Sequence, residues 1–148
     1  MTIAGTLNWI NEWHARACPT PDQRALDVQL GCHIEEFVEM LGVLAINGEP
    51  VSNSSTFAKL KKLADMLKAG DVSATILDRK ELLDSLADQV VTAVGVGYRA
   101  GMKVPDACAR VDESNWSKFD AAGHPVLDAN GKVTRGIGYL PPTLEGLY

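Results

Sequence analysis

Between Thr20 and Asn47-Gly48 the apolar residues Leu26, Leu30, Ile34, Phe37, Leu41 and Leu44 recur at helical spacing. A repeat of that length predicts a helix of about 25 residues, ~38 Å long at 1.5 Å per residue. Such a rod needs other helices to cover its apolar row. Its start is marked by Thr20-Pro21-Asp22-Gln23: Thr20 can cap, Pro21 suits the first helical position, and Gln23 completes a capping box. Four more segments carry the same period. Leu7 to Ala17 holds Trp9 and Trp13 four apart. A third helix opens at Ser54 or Ser55, carries Phe57, Leu60, Leu63, Ala64 and Leu67, and ends at Gly70. A fourth opens at Asp78-Arg79-Lys80-Glu81 and closes at Gly101, and a fifth runs from Pro105 to about Lys118.

After Phe119 the periodicity stops. Val126-Leu127-Asp128 and Lys132-Val133-Thr134 flank Ala129-Asn130-Gly131, and Asn-Gly accepts positive φ, so a small hairpin is expected there. Gly136 to Tyr148 reads as an extended tail. The expected fold is all-α: a bundle of about five helices with a small C-terminal β-hairpin and tail. The 148 residues suit one domain, with a helical core over about 6–119 and hairpin and tail over about 120–148.

The net charge of −5 disfavours a general nucleic-acid or anionic-membrane binder. Cys18, Cys32 and Cys108 are odd in number and form no CxxC, which argues against a disulfide framework or structural zinc. Met1 to Leu7 lacks a basic segment followed by an apolar run, and Gln89 to Tyr98 is too short to span a bilayer, so a cytoplasmic protein is expected. No GxxxxGK[ST] or HExxH occurs, and Gly95-Val96-Gly97 lacks the third glycine of a dinucleotide loop.

The acids carry the chemical signal. Glu36 and Glu39 share a stripe of the second helix with Ala25, Val28, Gln29, Cys32 and Val43, and Glu35 lies to one side. Asp84 and Asp88 repeat the arrangement on the fourth helix, with Glu81 on the flank. The uncharged run from Gln89 to Tyr98 predicts that this helix is buried on most sides. Carboxylates beside a buried stretch need compensation, which a hard divalent cation supplies. An all-carboxylate set favours Mg²⁺ or Mn²⁺ over zinc. The neutral alternative is that both pairs are solvated surface.

Glu35-Glu36-x-x-Glu39 followed by Asp84-x-x-x-Asp88 resembles the all-α nucleoside triphosphate pyrophosphatases, which include MazG-like proteins and dimeric dUTPases. The segment from Val111 to Asp120, with Asn115 and Lys118, is similar to the one after the second acidic helix in bacterial and phage MazG-like members. Gly131 to Pro142 resembles their tail. The likeness covers roughly residues 20 to 145. In one respect the chain departs: the family's second motif is Glu-x-x-Asp, and with Asp88 in the Asp position Ser85 stands where Glu belongs. Glu81-x-x-Asp84 is the alternative register.

The resemblance implies Mg²⁺-dependent hydrolysis of a nucleoside triphosphate to the monophosphate and pyrophosphate. Glu36, Glu39, Asp84 and Asp88 would be metal ligands, and Glu36 or Glu35 the proton acceptor. Lys118 and Arg135 would bring positive charge to the phosphates, and Asn115 would meet base or sugar. Trp13 could stack on a base, although core or interface is its plainer use. The resemblance also implies a homodimer or homotetramer. A non-catalytic nucleotide-binding or regulatory module is the alternative that the displaced second motif keeps open.

Overall fold

The computed structural model describes residues 3–148, with side chains from residue 5 onward; residues 1 and 2, where the stretch read as leader-free begins, lie outside the described residues. The described residues form five helices: α1 (Ile3–Ala17), α2 (Gln23–Gly42), α3 (Ser55–Ala69), α4 (Arg79–Arg99) and α5 (Val104–Trp116). The two strands β1 (Ala45–Ile46) and β2 (Glu49–Pro50) pair antiparallel, Ala45 opposite Pro50 and Ile46 opposite Glu49. No described helix is long and apolar enough to cross a membrane. The chain divides into two compact units. One holds Thr20–Thr75 and Leu127–Lys132; the other holds Ile76–Val126, Val133–Tyr148 and the described part of Met1–Pro19.

In the α2–α3 unit, Asp22 and not Thr20 caps α2, its carboxylate accepting from Ala25 N at 2.8 Å. Pro21 therefore precedes the helix. α2 ends at Gly42, five residues before Asn47-Gly48, because that dipeptide closes a hairpin instead of stopping a helix. Asn47 and Gly48 both take positive φ, 53° and 84°, which a two-residue hairpin turn requires.

The two-stranded sheet thus lies mid-chain and not at the C-terminus. Around Asn130-Gly131 no named strand forms: the chain folds back in a turn with single bridge residues at Leu127 and Val133, Asp128 N donating to Lys132 O at 2.9 Å and Thr134 N to Val126 O at 2.7 Å. α3 follows its expected signals: Ser54 Oγ accepts from Phe57 N, and Gly70 ends the helix at φ 84°.

The buried residues of α2 are Asp27, Val28, Gly31 and Val38, while Phe37 and Leu44 of the expected row are 50% and 46% exposed. The partner explains the shift. Gly31 has no side chain, so α3 approaches closely there: a Cβ would sit 2.8 Å from Ala64 O and 2.7 Å from Lys68 Cγ. Ala64 and Leu67 are buried on α3. Arg24 donates to Leu67 O at 2.8 Å and also to Lys68 O, satisfying carbonyls that a helix end leaves without partners. Buried Asp27 accepts from Ala74 N at 2.8 Å and from Gln23 at 3.0 Å, fixing the segment after α3.

In the other unit α1 packs on α5 through aromatic rings. Trp9 meets Trp116 at 6.2 Å between centroids, and Trp13 meets Phe119 at 5.9 Å. The tail lies along α5: Ser114 Oγ donates to Leu140 O at 2.6 Å, Arg110 to Thr143 O at 2.6 Å, and Lys103 N to Leu147 O at 2.8 Å. Asp78 caps α4 by accepting from Lys80 N and Glu81 N. The expected burial of α4 on most sides does not occur within one chain. Leu83, Val91, Val96 and Tyr98 are 71%, 69%, 61% and 81% exposed.

Asp112 on α5 is 3% exposed, and desolvation pushes its carboxyl above the usual range. Trp116 eases this only in part, since its buried indole Nε1 has no well-formed hydrogen bond. A carboxyl raised by folding binds its proton more tightly folded than unfolded. Its stabilising contribution is therefore greatest below the unfolded value, and it falls as pH rises through the folded one. Asp112→Asn removes the buried charge and is expected to raise the thermal midpoint at pH 7 by a few degrees, with the gain shrinking near pH 4. Unfolding curves at the two pH values check this, and a less stable variant at pH 7 would refute it.

Candidate functional site

Three acids of α2 behave differently although they lie within five residues. Glu35 is half-buried, and each oxygen of its carboxylate meets a lysine. Lys68 Nζ lies 2.5 Å from Oε1 and Lys132 Nζ 3.1 Å from Oε2. Burial works to raise the carboxyl pKa, but the two ammonium groups outweigh it and hold the group below its ordinary value. Lys68 and Lys132 are in turn held above theirs, burial working against and Glu35 for the shift. Lys68 also reaches Asp65 at 3.3 Å, and Asp65 pairs with Lys61 at 3.1 Å.

Local sequence sets up this clasp. Gly31 sits one turn before Glu35 and lets the Lys68 stem cross α2, which brings Nζ onto the carboxylate. Lys132 arrives from the Asp128-Ala129-Asn130-Gly131 turn, where Asp128 Oδ1 accepts from Asn130 N and Lys132 N.

Glu36 and Glu39 are exposed and make no salt bridge among the described residues. Glu39 borders a cleft of about 160 Å³ lined also by Glu35, Val38, Phe57, Lys61 and Asp65. In the other unit Asp84 and Asp88 are likewise exposed on α4 and without a salt bridge among the described residues. Glu81 lies in the first turn of α4, where its backbone N donates to Asp78.

Of the expected substrate contacts, Asn115 uses its carbonyl to accept from Trp13 Nε1 at 2.8 Å. That bond and the contact with Phe119 put Trp13 in the α1–α5 aromatic cluster. Lys118 is half-buried. The Arg135 guanidinium lies 4.9 Å from the Tyr139 ring and borders a cavity of about 770 Å³ lined by Phe119, Val126 and Ile137 among others. Desolvation raises the thiol pKa of both Cys32 and Cys108, which lowers their thiolate fraction.

The donors suit a hard divalent cation by type, being carboxylate oxygens free of competing lysines. Among the described residues no three His, Cys, Asp or Glu side chains gather closely enough to hold an ion. Each unit contributes one exposed pair, half of the set that the resemblance implies. Sequence spacing gives no sign that Lys68 and Lys132 partner Glu35, from which they lie 33 and 97 residues away. The only sequence trace of the clasp is Gly31, four residues before Glu35. Comparison with protein-family models, curated proteins and solved structures finds no match to this chain.

Proposed function

We propose that this protein is a MazG-like nucleoside triphosphate pyrophosphohydrolase. The observation that supports the reading is selective charge compensation. Lys61, Lys68 and Lys132 pair with Glu35 and Asp65, while Glu36 and Glu39 stay exposed on α2 without a salt bridge among the described residues. Asp84 and Asp88 do the same on α4. The ordered resemblance of the acid motifs, the Asn115–Lys118 segment and the tail favours chemistry.

In this reading Glu36, Glu39, Asp84 and Asp88 would hold Mg²⁺, with Mn²⁺ as the substitute. When bound, the cation neutralises phosphate charge and acidifies water. Glu36 takes the proton as the water oxygen bonds to the α-phosphorus and the bond to the α–β bridging oxygen breaks, releasing pyrophosphate. Glu35 suits this base role less, because two lysines already occupy its oxygens. Lys118 and Arg135 bring positive charge to the phosphates, and Asn115 presents its side-chain amide to base or sugar. The test is a pyrophosphate-release panel over dNTPs and NTPs with and without Mg²⁺. Turnover persisting in excess EDTA would refute the metal-dependent reading, and Mg²⁺-dependent binding without hydrolysis would select the regulatory alternative.

The same reading includes a homodimer or homotetramer. α4 carries Leu83, Val91 and Tyr98 largely in the open on one side of the helix, an apolar face that a second copy could cover. Light scattering at micromolar concentration is expected to give a multiple of 15.9 kDa. A particle of monomer mass would refute the assembly.

A further inference from the structure

We infer that Lys132, carried to α2 by the Asp128–Lys132 turn, is a phosphate-positioning residue for the triphosphate chain; this rests on the hydrolase reading above. The geometry is a row of alternating charges: Lys61, Asp65, Lys68, Glu35 and Lys132, with neighbouring members 3.1, 3.3, 2.5 and 3.1 Å apart. A lysine stands at each end, so the row carries one positive charge more than its carboxylates cancel.

Lys132 ends the row at Glu35, the residue that precedes Glu36 on α2. Its side chain is 43% exposed against 18% for Lys68, so it can hold Glu35 and still meet a ligand. It borders a cleft of about 280 Å³ together with Lys68, Asn130, Asp65 and Asp128. Asp128 Oδ1 is turned to the two backbone N–H groups of its own turn and so helps to hold Lys132 in place.

A phosphate oxygen matches this arrangement in charge and geometry. It can accept from the Lys132 ammonium while the Glu35 carboxylate keeps the stem aligned, a charge-assisted contact of the kind that fixes phosphate groups. Glu35 then acts through Lys132, as a positioning residue beside the acids that do the chemistry. The cation is delivered by a turn closed on α2, so the binding contact depends on the order of residues 127–132.

The experiment compares wild type with Lys132→Gln and Lys132→Arg. Pyrophosphate release is measured against nucleotide concentration, calorimetry measures tripolyphosphate binding in Mg²⁺, and amide hydrogen exchange follows residues 127–133. For Lys132→Gln, KM is expected to rise about 10-fold with kcat changed less than about 3-fold, tripolyphosphate binding to weaken about 10-fold, and exchange over 127–133 to speed up. Lys132→Arg is expected to recover most of each. Equal tripolyphosphate binding by wild type and Lys132→Gln, or none by wild type, overturns the inference. A purely structural lysine would lower stability and leave KM and binding unmoved, which also overturns it. A wild type that binds tripolyphosphate but turns over no nucleotide sinks the hydrolase reading alone, and the calorimetric comparison still decides Lys132.

Discussion

Glu39→Gln and Asp88→Asn are each expected to cut Mg²⁺-dependent pyrophosphate release by about 100-fold or more while leaving the thermal midpoint within a degree or two. The first half follows from the proposed role: each change removes a charged oxygen ligand and keeps the shape of the side chain. The second half follows from exposure. Neither carboxylate makes a salt bridge among the described residues, and substitutions at such surface positions usually stay within about 0.5 kcal/mol. Glu35→Gln provides the contrast, since it removes the charge that both lysines pair with and leaves one accepting oxygen for the two of them, and it is expected to lower stability measurably. Release assays and unfolding curves on the same preparations separate the two effects. Full activity in Glu39→Gln would remove this acid from the site, and a fold lost in Asp88→Asn would make that residue structural.

Where chemistry is local, the sequence was readable. Ser54, Asp78 and Gly70 cap or end their helices as their types require, because capping involves residues two or three apart. The start of α2 slipped by two residues because Thr20 and Asp22 can both cap, and only the backbone path decides between them. Asn-Gly occurs at 47–48 and at 130–131. One was expected to stop a helix and the other to close a hairpin, and the sheet forms at the first. The dipeptide specifies a turn, while strand pairing depends on what flanks it in space.

Legibility fell further where distant segments meet. The apolar row of α2 pointed to Phe37 and Leu44 as core, yet the buried set contains Gly31 and Asp27, residues chosen by the fit to α3 and by the loop that Asp27 holds. The uncharged stretch of α4 read as buried because sequence shows that a face is apolar and not which molecule covers it. The acids of the candidate site were visible as pairs at helical spacing. The lysines that single out Glu35 lie 33 and 97 residues away, beyond any local pattern.

Gly31 links fold and site most directly, and its substitution carries the largest expected cost to stability. By helix propensity alone, Gly31→Ala in mid-helix would gain about 1 kcal/mol. The added Cβ would meet Ala64 O at 2.8 Å, a backbone atom that cannot swing aside, and Lys68 Cγ at 2.7 Å. Overpacking of this kind costs about 1–3 kcal/mol, so the clash wins and Gly31→Ala is expected to be destabilising on balance. Gly31→Val adds further bulk and is expected to lose about 3 kcal/mol or more.

Gly42→Ala on the same helix is the control. Its Cβ would meet only Phe57 ring carbons, at 3.4 and 3.6 Å, so the propensity gain survives and stability is expected to hold or rise. Denaturant midpoints for the three variants check the signs. A stabilised Gly31→Ala would mean that α2 and α3 do not approach as described. The Lys68 stem would then have no reason to cross at that point, and the clasp on Glu35 would lose its structural cause.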